Sequence, residues 1–230
     1  MNREVKWIRE YFKNVGGDKA AVIGISGGLD SALVASLCLD ALGPDRVIGV
    51  MLPNNKQVDI DDAFSIFESL KIKKHIVNIG SIVEEVYNGV GKGHVTEEVE
   101  INTPPLIRMV VLRAIAKMND GLVACCTNRS ELEVGYFTKG EGLAGDFAPI
   151  LHLTKGQVRE LAETQCLPEW VIKKPPADGL QDKTDEDRLG VSYDEIDQVC
   201  MGGKPMSWER IDEMRRATRH KVDFIPHLSS

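Results

Sequence analysis

The chain has 230 residues, of which 43% are hydrophobic, and its 35 acidic against 28 basic residues give a formal net charge of -7. This length and apolar content suffice for one globular domain with a full core, so we expect a single domain over residues 1–230. Net acidity argues against a nucleic-acid-binding protein, and the absence of a signal sequence or membrane-length apolar run, with five cysteines that lack Cys-x-x-Cys spacing, favours a cytoplasmic protein that binds no membrane.

Apolar spacing and turn residues predict helices that alternate with strands. The first helix carries Val5, Ile8, Phe12 and Val15 at helical spacing and ends at Gly16-Gly17. The pattern then predicts a strand over 20–25, a helix over 31–42, a strand over 46–52, a helix over 59–70, a strand over 74–79, a helix near 82–87, a polar loop over 88–100, a helix over about 105–118 and a strand over 122–126. Such alternation is typical of an α/β fold with a doubly wound, mostly parallel sheet covered by helices on both faces.

The turn after the first strand is built to hold phosphate. It comprises Gly24, Ile25, Ser26, Gly27, Gly28, Leu29, Asp30 and Ser31. Its glycines let the backbone approach a ligand, and exposed N–H groups at the start of the next helix favour an anion. Asp30, which bare phosphate would repel, is explained by a Mg²⁺ ion that the phosphates share. The alternative is an ordinary helix start with a serine or aspartate cap.

The run Ser-Gly-Gly-Leu-Asp-Ser in this turn resembles the pyrophosphate-binding loop of the N-type ATP pyrophosphatases. It lacks the lysine of the Walker loop and the spacing of the dinucleotide fingerprint. The resemblance implies an adenine nucleotide alpha hydrolase-like, Rossmann-like fold. It also implies cleavage of ATP between the α and β phosphates, with adenylation of an acceptor oxygen.

A second polar group follows the strand predicted over 122–126, at Thr127-Asn128-Arg129-Ser130-Glu131. Carboxyl ends of parallel strands share one edge of the sheet, so Glu131 could meet Asp30 there and form a magnesium pair. The segment is equally typical of a helix start, with Asn128 or Ser130 as cap and Glu131 in the first turn.

The rest of the chain resembles the ammonia-dependent NAD synthetases, from the phosphate loop to the tail and in the family's order. The matching runs are Glu131-Leu-Glu-Val-Gly135-Tyr136-Phe137-Thr138-Lys139, Gly145-Asp146-Phe-Ala-Pro149-Ile150, Leu153-Thr154-Lys155, Lys174-Pro175-Pro176-Ala177-Asp178-Gly179-Leu180, Thr184-Asp185-Glu186, Leu189-Gly190-Val-Ser-Tyr193-Asp194-Glu-Ile-Asp197 and His220-Lys221. These runs are more specific than the loop alone.

The resemblance implies a role for each matched residue. ATP would bind at the loop, at Lys155 and at the positions of Cys126 and Ala177, while Asp30 and Glu131 would hold Mg²⁺. The implied deamido-NAD contacts are Arg108, Lys139, Asp146, His220 and Lys221, and the implied catalytic residues are Asp30, Asp146 and Lys155. Without the resemblance, Lys139 and Lys155 would be solvated side chains, Lys155 an early-helix residue after a Thr154 cap, and His220 a solvent-facing helix end.

Two segments of irregular composition are predicted to be mobile. The glycine-rich run over 137–147 could form a lid that keeps water from an adenylate, or it could be a flexible surface loop. The run over 175–187 contains prolines, a glycine and charges that argue against regular structure.

Three positions depart from the family pattern. Cys126 stands where the family has threonine, with Thr127 one place later, and Leu106 replaces an arginine that contacts the dinucleotide. Ala177 replaces a serine or threonine. The magnesium and pyrophosphate residues are intact, so adenylation is the firmer inference and the acceptor the weaker one.

The sequence therefore predicts an ATP-dependent carbon–nitrogen ligase that makes NAD from deamido-NAD and ammonia. The alternatives are a related adenylating amidotransferase with another carboxylate acceptor, or a nucleotide-binding protein without catalysis. The resemblance also implies a homodimer built on the helix that carries an apolar stripe, although without the resemblance such a stripe favours the chain's own core. The stripe consists of Met109, Val110, Leu112, Ile115, Ala116 and Met118.

Overall fold

A four-stranded parallel sheet forms the centre of the protein in this computed structural model, which describes residues 2–55, 60–176 and 184–223. The strands are β1 (Ala20–Gly24), β2 (Val47–Met51), β3 (Lys73–Ile76) and β4 (Gly121–Val123). Their order is β3-β2-β1-β4, with Val22 of β1 opposite Ile48 on one side and Val123 on the other. This arrangement confirms the predicted α/β fold class.

Helices connect the strands and continue beyond the sheet. They are α1 (Arg3–Tyr11), α2 (Leu29–Leu42), α3 (Ile60–Leu70), α4 (Gly80–Val90), α5 (Glu97–Met118), α6 (Arg129–Val134), α7 (Lys155–Glu163), α8 (Glu169–Lys173), α9 (Asp185–Leu189), α10 (Tyr193–Cys200) and α11 (Trp208–Val222).

Both faces of the sheet are buried, because successive side chains of each strand point to opposite sides. Ala21 and Ile23 of β1 pack with α1 and α2 in one core, whereas Val22 packs with α4 and α5 in the other. A third cluster lies beside the sheet and joins α6, α10 and α11 through residues such as Tyr193 and Ile211. This third cluster holds α6 at the carboxyl edge of the sheet.

The predicted loop over 88–100 is wrong, as is the predicted helix start at Pro104-Pro105. Helix α4 runs to Val90, and α5 begins eight residues before the second proline. Thr96 caps α5 through a hydrogen bond from the Val99 amide, and three glutamates in the first turn favour the positive end of the helix. The cap and acidic turn therefore outweigh the two backbone hydrogen bonds that the prolines remove.

Smaller differences concern the ends of elements. The strands are shorter than predicted by one or two residues, and the first helix passes at Tyr11 into a π-helical turn over Phe12–Gly16. Within that turn Val15 is exposed, not part of the apolar face. In the predicted irregular run over 175–187, Asp185 begins a helix that Thr184 caps, and residues 177–183 lie outside the described part.

The two edges of the sheet differ. At the β4 edge the chain returns over residues 145–147, where Asp146 N donates to the Val123 carbonyl and Cys125 N donates to the Phe147 carbonyl. On the β3 edge, Lys73, Lys74 and Ile76 are exposed. Within the described ranges no helix has both the length and the apolar content to cross a membrane.

Candidate active site

A cavity of about 530 Å³ opens at the carboxyl edge of the sheet, where open α/β sheets bind their ligands. The phosphate loop forms its floor, and segments after β4 and from α5, α7 and α9 form its walls. Both basic and acidic side chains line it. The basic ones are Arg108, Lys155, Arg159, Lys174, Arg188 and Lys221, and the acidic ones are Asp30, Glu131, Glu141 and Asp185.

The loop over 24–31 has the conformation that its small residues predict. Gly27 takes a φ of 87°, which favours glycine, whereas Gly28 is extended at φ -97° and serves as the N-cap of α2. The two hydroxyls brace the turn, since Ser26 Oγ lies 3.2 Å from Ser31 Oγ and accepts a hydrogen bond from Gly28 N. The loop thus presents the start of α2 to the cavity.

Lys155 is the central side chain of the site. It is only 3% exposed, and its Nζ donates to Asp30 Oδ2 at 2.5 Å and lies 3.6 Å from Glu131 Oε1. The ammonium also lies 5.2 Å from the centre of the Tyr193 ring. The predicted meeting of Asp30 and Glu131 across the cleft is therefore confirmed, with Lys155 between them.

Asn128 orients both carboxylates. Its Nδ2 donates to Asp30 Oδ1 at 3.0 Å, and its Oδ1 accepts from Glu131 N at 3.0 Å as the N-cap of α6. In return Glu131 Oε2 accepts from Asn128 N at 3.1 Å, which completes a capping box. Glu131 is thus a helix-start residue whose side chain also lines the cavity, and its role toward magnesium stays a prediction.

A second network positions the backbone of Lys155. Thr154 caps α7 with Gln157 in a capping box, and Lys155 N donates to Ser130 Oγ at 2.9 Å. Ser130 Oγ in turn donates to Asp197 Oδ1, and Gly156 N donates to Asp197 Oδ2 at 2.8 Å. Lys155 is indeed the first helical residue after a Thr154 cap, and that position aims it into the cleft.

Electrostatics keep the lysine charged. Burial lowers the pKa of Lys155, but Asp30 and Glu131 more than offset this and the net pKa is raised. Burial and the nearby Asp30 charge raise the pKa of Glu131, since the ammonium lies nearer to Asp30. Burial, followed by the charge of Glu131, also raises the pKa of the Tyr193 hydroxyl, which lies 3.2 Å from Asp185 Oδ2. A buried charge cluster of this kind is typical of a functional site.

The opposite wall is formed by the end of β4 and the glycine-rich segment. Cys126 lines the cavity, and burial raises the pKa of its thiol well above the ordinary value, so it is no thiolate nucleophile. The displaced hydroxyl of Thr127 is already engaged, because Thr127 Oγ1 donates to the Gly142 carbonyl at 2.6 Å. Arg108 enters this wall from α5 and donates from Nε to the Leu52 carbonyl at 3.1 Å.

The predicted residues are brought together only in part. Lys221 lines the cavity and donates to the Gly135 and Phe137 carbonyls at 3.0 and 2.9 Å. Lys139 and His220 are exposed outside the cavity wall, where Lys139 Nζ donates to the His220 carbonyl at 2.6 Å.

Asp146 is also exposed outside the cavity wall. Its Oδ2 accepts from Val123 N at 2.8 Å, and its Oδ1 lies 3.6 Å from Arg113. The substrate and catalytic roles of Asp146 stay predictions, as does the role of Ala177, which lies outside the described residues.

Several residues of the site were not among the predicted ones. Arg159 lies one helical turn after Lys155, so its i, i+4 spacing was a usable signal. Lys174 reaches Asp62 at 2.7 Å, and Asn128 bonds a residue 98 positions away. The local spacing of residues in the sequence indicates neither of these long-range contacts.

Comparison with known proteins agrees with this geometry. The family model of NAD synthase matches residues 1–228. The chain belongs to the NAD synthase family. The NH(3)-dependent NAD(+) synthetase of Pyrococcus horikoshii is 35% identical over 245 residues, covering 96% of this chain and 90% of that protein. The resemblance inferred from the sequence is confirmed.

Two solved structures are similar over nearly the whole chain. NMN synthetase from Francisella tularensis superposes with a TM-score of 0.92 at 31% identity, covering 99% of this chain and 96% of that one. NH3-dependent NAD synthetase from Campylobacter jejuni superposes with a TM-score of 0.79 at 28% identity, with the same coverage. The shape of this protein is thus nearer to the first of the two.

Proposed function

We propose that this protein is an ammonia-dependent NAD synthetase, which converts deamido-NAD, ATP and ammonia to NAD, AMP and pyrophosphate. The observation that carries the proposal is the buried Lys155 between Asp30 and Glu131, directly beside the phosphate loop. Family membership over residues 1–228 supports it. We expect the enzyme to work in the cytoplasm.

The floor of the cavity suits the triphosphate of ATP. The start of α2 offers N–H groups and the positive end of its dipole, and Ser26 and Ser31 offer hydroxyls. Lys155 and Arg159 add positive charge from the facing helix. The pyrophosphate that departs from the α phosphorus is therefore neutralised where it forms.

Mg²⁺ fits the carboxylates of this site. Asp30 and Glu131 already share one cation, the Lys155 ammonium, and carboxylate oxygens are the ligands that Mg²⁺ prefers. Asp30 and Glu131 would hold the ion, which when bound would neutralise phosphate charge. Lys155 would then turn to the phosphate oxygens.

The reaction follows from positioning. A carboxylate oxygen of the nicotinate ring attacks the α phosphorus, the bond to the bridging oxygen breaks, and pyrophosphate leaves. Ammonia then attacks the acyl carbon, the carbon–oxygen bond to AMP breaks, and a proton leaves the new amide nitrogen. Held substrates and fixed charges supply most of the catalysis, since Cys126 carries no reactive thiolate.

The acceptor half of the substrate enters from the α5 and α11 side. Arg108 and Lys221 line the cavity there and offer cations to its phosphates or its carboxylate. Lys139, Asp146 and His220 lie farther out. They can contact deamido-NAD only at the outer end of the cleft.

A homodimer is part of this proposal. Its contact surface, however, does not include the whole apolar stripe that the sequence predicts on α5. Met109 and Ile115 are buried in the chain's own core, so for these two the intramolecular interpretation is the correct one. On the outer side of α5, however, Leu106, Val110 and Met118 are 40%, 64% and 80% exposed. We place the contact between subunits on this outer face.

Nicotinate mononucleotide is the second candidate acceptor. The similarity to NMN synthetase, with a TM-score of 0.92 against 0.79, favours it. Leu106 in place of an arginine that the family uses toward the dinucleotide points the same way. Both acceptors present the same nicotinate carboxylate, so the ATP chemistry is unchanged.

Product analysis tests the proposal. The enzyme is incubated with ATP, Mg²⁺, an ammonium salt and either deamido-NAD or nicotinate mononucleotide, and pyrophosphate, AMP and the amidated product are measured. We expect one equivalent of each for every amide formed. A higher kcat/KM with the mononucleotide would move the assignment to NMN synthesis, and ATP cleavage without any amide would refute both acceptors.

A further inference from the structure

Glu141 is a carboxylate in the cavity that the ATP chemistry does not use. It lies on the glycine-rich segment after α6, in the wall that also contains Arg108 and Cys126. It is separate from the pair Asp30 and Glu131, which hold Lys155. No role follows for it from the phosphate loop or from the resemblance.

The backbone around Glu141 is fixed. The amides of Glu141 and Gly142 both donate to the Thr138 carbonyl at 3.1 Å. The Gly142 carbonyl accepts from Thr127 Oγ1 at 2.6 Å and from Cys125 Sγ at 2.8 Å. A Cβ at Gly142 would lie 2.5 Å from Phe137 Cβ, so only glycine permits this turn. The carboxylate is thus held against the end of β4.

Glu141 lines the same cavity as the phosphate-loop residue Asp30. Besides burial and the neighbouring Cys125 thiol, the charges of Asp30 and Glu141 both raise the pKa of Cys126, which therefore lies within electrostatic range of both carboxylates. Burial raises the pKa of Glu141 to about 7, against the lowering effect of the Arg108 guanidinium. A carboxylate with this pKa can both take up and release a proton at neutral pH.

The amidation step needs such a group. Ammonia is largely protonated at neutral pH, and ammonium has no lone pair with which to attack a carbonyl. A carboxylate in the wall of a cavity attracts the cation and can accept its proton there. We propose that Glu141 binds ammonium and is the base that converts it to ammonia for the attack on the adenylated acceptor.

The proposal rests on the proposed function, and its protons and bonds balance. Glu141 Oε takes one proton from ammonium and becomes a neutral acid, while the nitrogen lone pair forms the bond to the acyl carbon. The carbon–oxygen bond to AMP breaks with its electron pair on the phosphate oxygen. The second proton leaves the amide nitrogen to the AMP phosphate or to water, and Glu141 returns its proton to solvent before the next turnover.

A change of nucleophile tests this role. Hydroxylamine is largely unprotonated at neutral pH, so it needs no base. We expect Glu141→Gln to lower kcat/KM for ammonium by about 100-fold, in the range of general base catalysis, and to change the rate with hydroxylamine by less than about 3-fold. Exchange of labelled pyrophosphate into ATP, which reports adenylation alone, should stay near the wild-type rate.

Glu160→Gln is the matched control, because Glu160 is exposed on α7 and does not line the cavity. Equal losses with ammonium and hydroxylamine, or unchanged kinetics with both, would overturn the proposal for Glu141. Glu141→Asp should recover part of the ammonium activity. If the wild-type enzyme forms no amide with either acceptor, the proposed function itself fails, and that outcome is seen without any variant.

Discussion

Charge neutralisation governs the site at the scale of single residues. Lys155 is buried with its ammonium shared between Asp30 and Glu131, and Asn128 supplies a neutral donor to the former. Each carboxylate therefore has a hydrogen-bonding partner before any ligand binds. Removal of the cation leaves two buried like charges together, which is far costlier than loss of a surface pair.

Lys155→Met tests this balance. We expect the free energy of unfolding to fall by about 3–5 kcal/mol and pyrophosphate release to fall by at least about 100-fold, because a buried pair loses its cation. Millimolar Mg²⁺ should raise the melting temperature of the variant more than that of the wild type, since the ion replaces the missing charge. Thermal unfolding with and without Mg²⁺ measures these changes in melting temperature.

Lys19→Met is the control, because Lys19 pairs with Asp120 at the surface and its loss should cost little. An unaltered unfolding temperature in Lys155→Met, or an equal response of both variants to Mg²⁺, would show that the three charges are not coupled.

Residues of the site differ in how far sequence could predict them. Asp30 and Glu131 follow strands whose carboxyl ends meet, so their proximity could be expected from the order of elements. Lys155 was selected only through the family resemblance, since a lone lysine after a cap is usually solvated. Glu141 was not selected at all, because its burial depends on a turn that packs against β4 from a distant part of the chain.

At the scale of elements, α6 is supported from both ends. Its N-terminus carries the capping box of Asn128 and Glu131, and its C-terminus ends at Gly135 with a φ of 63°. Thr218 of α11 packs against that glycine and donates to the Val134 carbonyl at 3.1 Å. The position of Glu131 thus depends on the contact between α6 and α11.

Gly135→Ala should disrupt this contact. A Cβ at position 135 would lie 2.3 Å from Thr218 Cβ, in addition to the strain of a positive φ. Gly202→Ala is a matched control, because its φ of 86° gives similar strain while nothing lies within 4 Å of the added atom.

We expect the alanine at 202 to cost about 1 kcal/mol and the one at 135 several times more, together with a loss of activity. Chemical denaturation and the pyrophosphate assay measure both effects. Equal destabilisation of the two variants would mean that α11 shifts away from the added methyl group without a cost in free energy.

The start of α5 shows where local rules conflict. The predicted type of this element was right but its predicted start was wrong, because two prolines usually mark a helix end or beginning. Thr96 and the acidic turn after it outweighed that signal. The parallel sheet and its two layers of helices were predictable from alternation alone, since they do not depend on the exact end of any element.

At the scale of the whole molecule, the outer face of α5 is the proposed contact between subunits. Val110→Asp should lower dimer content without unfolding the protein, because Val110 is 64% exposed in the chain alone. Val15→Asp is the control, since Val15 is 65% exposed on the π-helical turn after α1.

Sedimentation velocity over a concentration series gives the dimer fraction for each variant. A monomeric wild-type protein with full activity, or a Val110→Asp variant as dimeric as Val15→Asp, would contradict the dimer and leave the ATP site untouched.

The exposed lysines on β3 bear on assembly in another way. An open parallel sheet ends in a row of unpaired backbone groups, which can recruit strands from other molecules and start aggregation. Lys73 and Lys74 are consecutive, so each face of that edge carries one positive charge, and edge-to-edge pairing of two copies would set like charges against each other on both faces. We therefore expect that even concentrated protein has little tendency to form fibres through this edge of its sheet.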